Sequence, residues 1–184
     1  LAKLRRVFES HGVEFIESDG VRLRSDVFRV TSYEGKKSFI RYFQDLVLFM
    51  KQTGEKALHH SDDATFSKYC PDEFFWYYSQ MEKNGLKERL LIPDNKVFRY
   101  PPYHITDCRL CPRDAFGTVG YSVYGSKFAI YVPDRMVVIE NKQIADTYRR
   151  QFEFDWKHSK PMPLMPCVFD REKKRRAEQA FSRR

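Results

Sequence analysis

Glycine is scarce in this chain of 184 residues, with 8 in all, and none falls in a run that could cradle a phosphate. No Ser, His and Asp follow one another in an order that reads as a catalytic triad. Cysteine is also sparse: Cys70, Cys108, Cys111 and Cys167 are too few for a disulfide framework at this length, which favours a reducing cytoplasm. No apolar run approaches the roughly 18 residues that cross a bilayer, so no membrane partner is expected. The N-terminus is a charged helical pattern rather than a secretory signal. Leu1 at the first position points to a fragment or a processed product.

Aromatics and positive charge are abundant instead. Phe, Trp and Tyr make up 16% of residues, and apolar residues 42%, a globular profile. The net charge is +8 and the pI about 9.3, which favours an acidic partner such as nucleic acid; a solvated basic face is the plainer reading.

Periodicity organises the chain. Leu1, Leu4, Val7 and Phe8 predict an amphipathic helix over 1–10, and "VEFIESDGVRLR" predicts a hairpin about Asp19-Gly20. A strand is expected over 26–33. A long helix over 36–52 follows, with Phe39, Ile40, Phe43, Leu46, Val47 and Met50 on one face. Strand 55–60 leads to a helix with Ser61 as its N-cap, then helix 72–85 and strand 86–93. Residues 96–118 read mostly as loop, with a short strand near 97–100. A hairpin turns at Gly125-Ser126, strand 136–140 follows, and helix 142–158 starts from Asn141. Ile144, Ala145, Tyr148, Phe152 and Trp156 form its inward stripe, with Arg149 and Arg150 facing away. The alternation predicts an α/β fold, a mixed sheet flanked by helices. The basic stretch 170–184 reads as a surface helix or an unfolded tail.

Several groups invite chemistry. Cys108-x-x-Cys111, with His104 upstream, has the spacing of a metal or redox pair, but no second pair completes a site; two ordinary thiols are the alternative. His158-Ser159-Lys160 is the first half of a phospholipase D signature, in which His attacks phosphorus and Lys holds a phosphate oxygen. Met165 stands where that signature needs Asp, so chance is the simpler origin. The junctions "YEGKK" and "HHSDD" lie where strands meet helices, positions that collect ligands in α/β folds; a capping turn is the alternative. Nothing specific argues for an enzyme.

Two resemblances join these observations. "LAKLRRVFESHGVEFIESDGVRLR" (1–24) resembles the last helix and exit segment of a lambda-repressor-type (XRE family) helix-turn-helix domain, through Gly12-Val13-Glu14-Phe15-Ile16 and Gly20-Val21-Arg22-Leu23-Arg24. "TSYEGKKSFIRYFQDLV", "FFWYYSQMEKNGLKERLLIP", "FRYPP", "VYGSKFAIY" and "VVIENKQIADTYRRQFEFDWKHSKP" resemble the phospholipase D-like effector domain of TrmB-type transcriptional regulators. Tyr124, Gly125, Lys127, Ala129, Ile139, Glu140, Asn141, Ile144, Ala145, Phe152 and Trp156 carry that match, and Ser126 departs from it. The resemblance implies a helix-turn-helix exit segment over 1–25, an effector and dimerisation domain over 26–165, and a basic tail over 166–184. It implies a cytoplasmic homodimer without catalysis or cofactor, operator DNA bound through an upstream domain, and a small-molecule effector. Ligand contacts are expected at strand ends: Tyr33, Lys36, His60, Ser61, Arg99, Lys127 and Glu140. The rival readings are a divergent phospholipase D-like phosphodiesterase or nuclease, and a redox or metal sensor built on Cys108 and Cys111.

Overall fold

The structure, a computed structural model, describes residues 2–10, 13–16, 20–23, 28–61, 64–94, 102–117, 119–132, 135–163 and 168–181. Helix α1 (Ala2–Ser10) is followed by β1 (Val13–Ile16) and β2 (Gly20–Leu23), which pair antiparallel as the hairpin pattern requires. Phe15 closes this small unit, edge-on to Phe8 with the Arg5 guanidinium over its ring.

The remainder is built on one eight-stranded mixed sheet, ordered β10-β6-β5-β4-β7-β8-β9-β3. Its strands are β3 (Arg29–Glu34), β4 (Ala57–His60), β5 (Glu88–Pro93), β6 (Thr106–Cys111), β7 (Gly120–Tyr124), β8 (Lys127–Val132), β9 (Arg135–Glu140) and β10 (Lys160–Pro161). Strands β4, β5 and β6 run parallel, and the remaining pairs are antiparallel. The helices are α2 (Lys36–Thr53), α3 (Ala64–Tyr69), α4 (Pro71–Lys83), α5 (Lys142–His158) and α6 (Val168–Phe181).

Strand alternation assigns the two faces. Ala57, Ala129, Tyr131, Met136 and Val138 point to the side where α2, α3 and α4 bury Phe39, Phe43, Leu46, Met50, Phe66, Phe74 and Met81. Leu58, Leu91, Cys111, Val123 and Phe128 point to the other, where α5 buries Ala145 and Phe152. Gly120 on β7 is demanded by this packing, because a Cβ there would stand 2.2 Å from the buried Tyr131 ring. Gly125 turns β7 into β8 at φ +53°, a conformation L side chains rarely adopt.

Asn141 caps α5 as the sequence predicts, its Oδ1 accepting from the Ile144 N–H at 3.0 Å. Asn141→Ala removes that partner and is expected to lower stability by about 1 kcal/mol in chemical denaturation. An unchanged midpoint contradicts this role for the cap.

One expectation is corrected. Residues 106–111, read as loop, form β6. The Ser61 N–H donates to Leu91 O at 3.0 Å and prolongs the β4–β5 pairing, and the cap expected of Ser61 involves residues 62 and 63, which lie outside the described residues. Residues 170–181 of the basic stretch lie in α6, the surface helix that was one of its two expected states, and fully buried Phe169 at its start packs on Phe75 and Tyr78. Arg149, off the inward stripe of α5, pairs with Asp146 and donates to Gly125 O at 2.6 Å. The strand expected near 97–100 lies outside the described residues.

Candidate functional site

Three polar groupings interrupt the apolar layers. The first stands where β7 turns into β8. Lys127 Nζ donates to both Asp45 oxygens, at 2.8 and 2.7 Å, and the Tyr124 hydroxyl donates to Asp45 Oδ2 at 2.9 Å. Burial first, then neighbouring Tyr42 and Asp45, push the Tyr124 hydroxyl well above its ordinary pKa, so it remains a donor. Glu140 is the cross-strand partner of Lys127 and of Arg29, and its carboxylate lies 3.4 Å from the Arg29 guanidinium. Tyr124 is buried, but Lys127, Asp45 and Glu140 are about a third exposed, so the charged side of the grouping is open to solvent.

The second grouping lies inside the sheet, under α2 and α4. Ser122 on β7, His59 on β4 and Glu88 on β5 sit on neighbouring strands. Tyr42 donates to Ser122 Oγ at 2.7 Å, and His59 Nδ1 lies 2.7 Å from the same oxygen. His59 Nε2 stands 3.3 Å from Glu88 Oε2 without forming a directed hydrogen bond; at this distance and burial the contact is an electrostatic attraction. Tyr77 donates to Glu88 Oε2 at 2.6 Å and Thr106 to Oε1 at 2.8 Å. Burial would raise the Glu88 carboxyl pKa, but the attraction of His59 and the two hydroxyl donors outweigh it and hold the group below its usual range. A cavity of about 20 Å³ adjoins Glu88, His59 and Ser61, room for a single water.

The third grouping faces α5. His60 is stacked between Phe116 (centroids 3.9 Å apart) and Tyr121 (4.8 Å). Arg89 and Arg109 lie over the Trp156 ring at 4.2 and 5.0 Å, and Arg89 also pairs with Glu153. Arg109 donates to Trp156 O at 2.8 Å, satisfying a carbonyl in the last turn of α5.

The expected ligand residues therefore scatter. Lys127 and Glu140 meet at the first grouping, and Tyr33 shares their sheet face but packs against the core. Ser61 lines the inner cavity, and His60 points to the opposite face, buried. Lys36 opens α2, and Arg99 lies outside the described residues. Cys108 and Cys111 are three apart on one strand and so face opposite sides: Cys108 packs with Leu90, Ile92 and Leu110, and Cys111 with Leu91 and Phe116. Burial pushes the Cys111 thiol up, against thiolate chemistry, and a hydrogen bond with Ser159 offsets this only in part. His104 pairs instead with Glu82.

Asp45, Tyr124, Ser122, Glu88, Tyr77 and Thr106 are the residues that sequence reasoning missed. The one available signal was Glu88, a carboxylate opening the otherwise apolar strand "ERLLIP".

No family model matches the chain, and no curated protein matches it in sequence. Solved structures match it in fold. TrmBL2, an archaeal chromatin protein whose structure shows a novel mode of DNA binding, superposes with a TM-score of 0.50 at 12% identity, over 88% of this chain and 61% of TrmBL2. The chain thus spans about three fifths of that protein. Nuc from Salmonella typhimurium, a phospholipase D family member, superposes with a TM-score of 0.52 at 10% identity, over 75% of this chain and all of Nuc. The fold is phospholipase D-like; at these identities the likeness speaks for the fold alone.

Proposed function

We propose that this chain is the effector-sensing and dimerisation part of a DNA-binding transcriptional regulator, a phospholipase D-like fold used for binding rather than for phosphodiester chemistry. The observation that carries this reading is the placement of the histidines relative to the lysines. A histidine nucleophile must reach the phosphorus that a neighbouring lysine helps to hold. His59 is engaged with Ser122 and Glu88, His60 lies between Phe116 and Tyr121, and His104 pairs with Glu82. His158 Nδ1 donates to Phe154 O of its own helix at 2.7 Å, and Lys160 lies on the outermost strand β10. Lys127 sits five strands away, about 24 Å at the usual strand spacing, and is held by Asp45. Lys160 stands opposite Leu110 on β6 and so projects from the sheet face away from α5 and His158, and one phosphate does not bridge these groups.

TrmBL2 lends support as a DNA-binding protein of the same fold. In this reading operator DNA is bound through an upstream domain that follows the helix-turn-helix pattern continued by α1, β1 and β2. A small-molecule effector contacts the open grouping of Lys127 and Glu140, with Tyr33, Lys36, His60, Ser61 and Arg99 as the remaining proposed contacts. The effector acts by favouring one arrangement of the homodimer.

An activity assay separates this from the phosphodiesterase reading. The chain is expected not to hydrolyse bis(4-nitrophenyl) phosphate above background, with or without divalent metal. Turnover that disappears in Lys127→Ala or His158→Ala overturns the proposal. Native mass spectrometry under reducing conditions is expected to show a dimer, and a monomer contradicts the dimerisation role.

A further inference from the structure

Helix α5 has a second face with a different chemistry. Inward, Ala145 and Phe152 are buried. Outward, Gln143, Thr147, Arg150, Phe154, Lys157 and His158 recur at steps of three and four and are exposed. This outer stripe contains no acid. The acids of α5 lie on its flanks and are engaged there: Asp146 with Lys142 and Arg149, Glu153 with Arg89, Asp155 with Gln151. Arg150, which also draws on Asp146, and Lys157 form no ion pair within contact distance among the described residues. Amid these cations Phe154 is 60% exposed, its ring 4.3 Å from that of His158.

We propose that this outer face of α5 binds a single-stranded polynucleotide, with the cations on its phosphates and an unpaired base stacked on Phe154 and His158. Two separate features select this partner. Unpaired cations within about two helical turns, roughly 10 Å, attract a chain of phosphates. An exposed aromatic pair offers a stacking platform that a base can use only when it is unstacked from its neighbours. A duplex engages the cations and leaves the rings unused. The inference does not rest on the regulator reading, which concerns duplex operator DNA reached through another domain.

Fluorescence anisotropy on the whole chain tests it, with labelled oligothymidylate and oligouridylate of roughly 20 nucleotides and a duplex of equal length as probes. A single strand is expected to bind more tightly than the duplex, and a preference between the two homopolymers identifies DNA or RNA as the source. Phe154→Ala is expected to weaken single-strand binding about 10-fold without changing its salt dependence. The combined R150Q and K157Q change is expected to lower the log–log salt slope by about 1.4, at about 0.7 per phosphate contact. All three positions are exposed, so folding is not at stake. Equal affinity for the duplex with a silent Phe154→Ala overturns the proposal, as does absence of binding at low salt. A Phe154→Ala chain that changes its oligomeric state and not its polynucleotide affinity overturns it too, by assigning the ring to contact between copies.

Discussion

Glu88→Ala is expected to lower the unfolding free energy by about 3–5 kcal/mol, the cost typical of removing one partner from a buried charged network. Glu88 is 2% exposed and ties three elements together: α4 through Tyr77, β6 through Thr106 and β4 through His59. Truncation leaves two buried hydroxyls without their acceptor and the buried His59 ring without its electrostatic partner, and each unsatisfied hydroxyl costs about 1–3 kcal/mol. Glu88→Gln fills the same space, but its NH2 cannot accept the hydroxyl that one Glu88 oxygen now accepts, so a loss of about 2 kcal/mol is expected. The decisive variant is the triple change Glu88→Leu, Tyr77→Phe and Thr106→Val. Removing carboxylate and hydroxyls together leaves fewer orphans, so it should recover most of the stability that Glu88→Ala loses. Urea denaturation at neutral pH reads all three. A Glu88→Ala loss below about 1 kcal/mol, or a triple variant no better than the single, shows that the network does not work this way.

The parts of the fold that show in the sequence are those whose pattern is local. Helix α2 declares itself because Phe39, Phe43, Leu46, Val47 and Met50 all face one core, and α5 because Asn141 and the stripe to Phe152 and Trp156 lie within one helix. Strand β6 hides because both its faces are covered: Cys108 and Leu110 contact one apolar cluster, Cys111 another, and Arg109 is drawn onto Trp156. A strand covered on both sides loses the alternation that would reveal it, and the prolines around it read as loop. The anchoring of α6 was hidden for a related reason, since its buried Phe169 stands at the start of a stretch dominated by charge, and the partners of Lys173 and Arg176, Glu82 and Asp72, lie far off in sequence.

The polar groupings are less legible still, because the sheet order assembles them. Lys127 and Asp45 are 82 residues apart, and His59 and Ser122 are 63 apart. Only the antiparallel placement of β7 beside β4 brings His59 opposite Ser122. The junction rule located His60 and Ser61 correctly in the chain, yet β4 is buried on both faces, so both side chains went into the interior.

Acid should weaken the fold well above the range where carboxylates titrate, through His60. Its ring is 3% exposed, sandwiched between Phe116 and Tyr121, with Nδ1 buried and without a hydrogen-bond partner among the described residues. Burial pulls its pKa down from 6.5 to about 4, against a smaller upward pull from Asp155 and from its own backbone. Between those values the unfolded chain carries the proton and the folded chain does not, so stability rises with pH across the window. The contribution is complete above about pH 6.5, is lost as the pH falls to about 4, and amounts to about 3 kcal/mol at 1.36 kcal/mol per pH unit. Glu88 acts in a lower window: its depressed pKa contributes stability above the ordinary carboxylate range that is lost only as the pH falls through the folded value. The two effects are therefore separable by pH. His60→Phe keeps a flat ring between Phe116 and Tyr121 and removes both the orphaned nitrogen and the titration. It is expected to flatten the stability profile between about pH 4 and about pH 6.5 while leaving stability at neutral pH equal or higher. Urea midpoints across that range measure it, and a variant with the slope of the parent chain assigns the acid sensitivity to other groups.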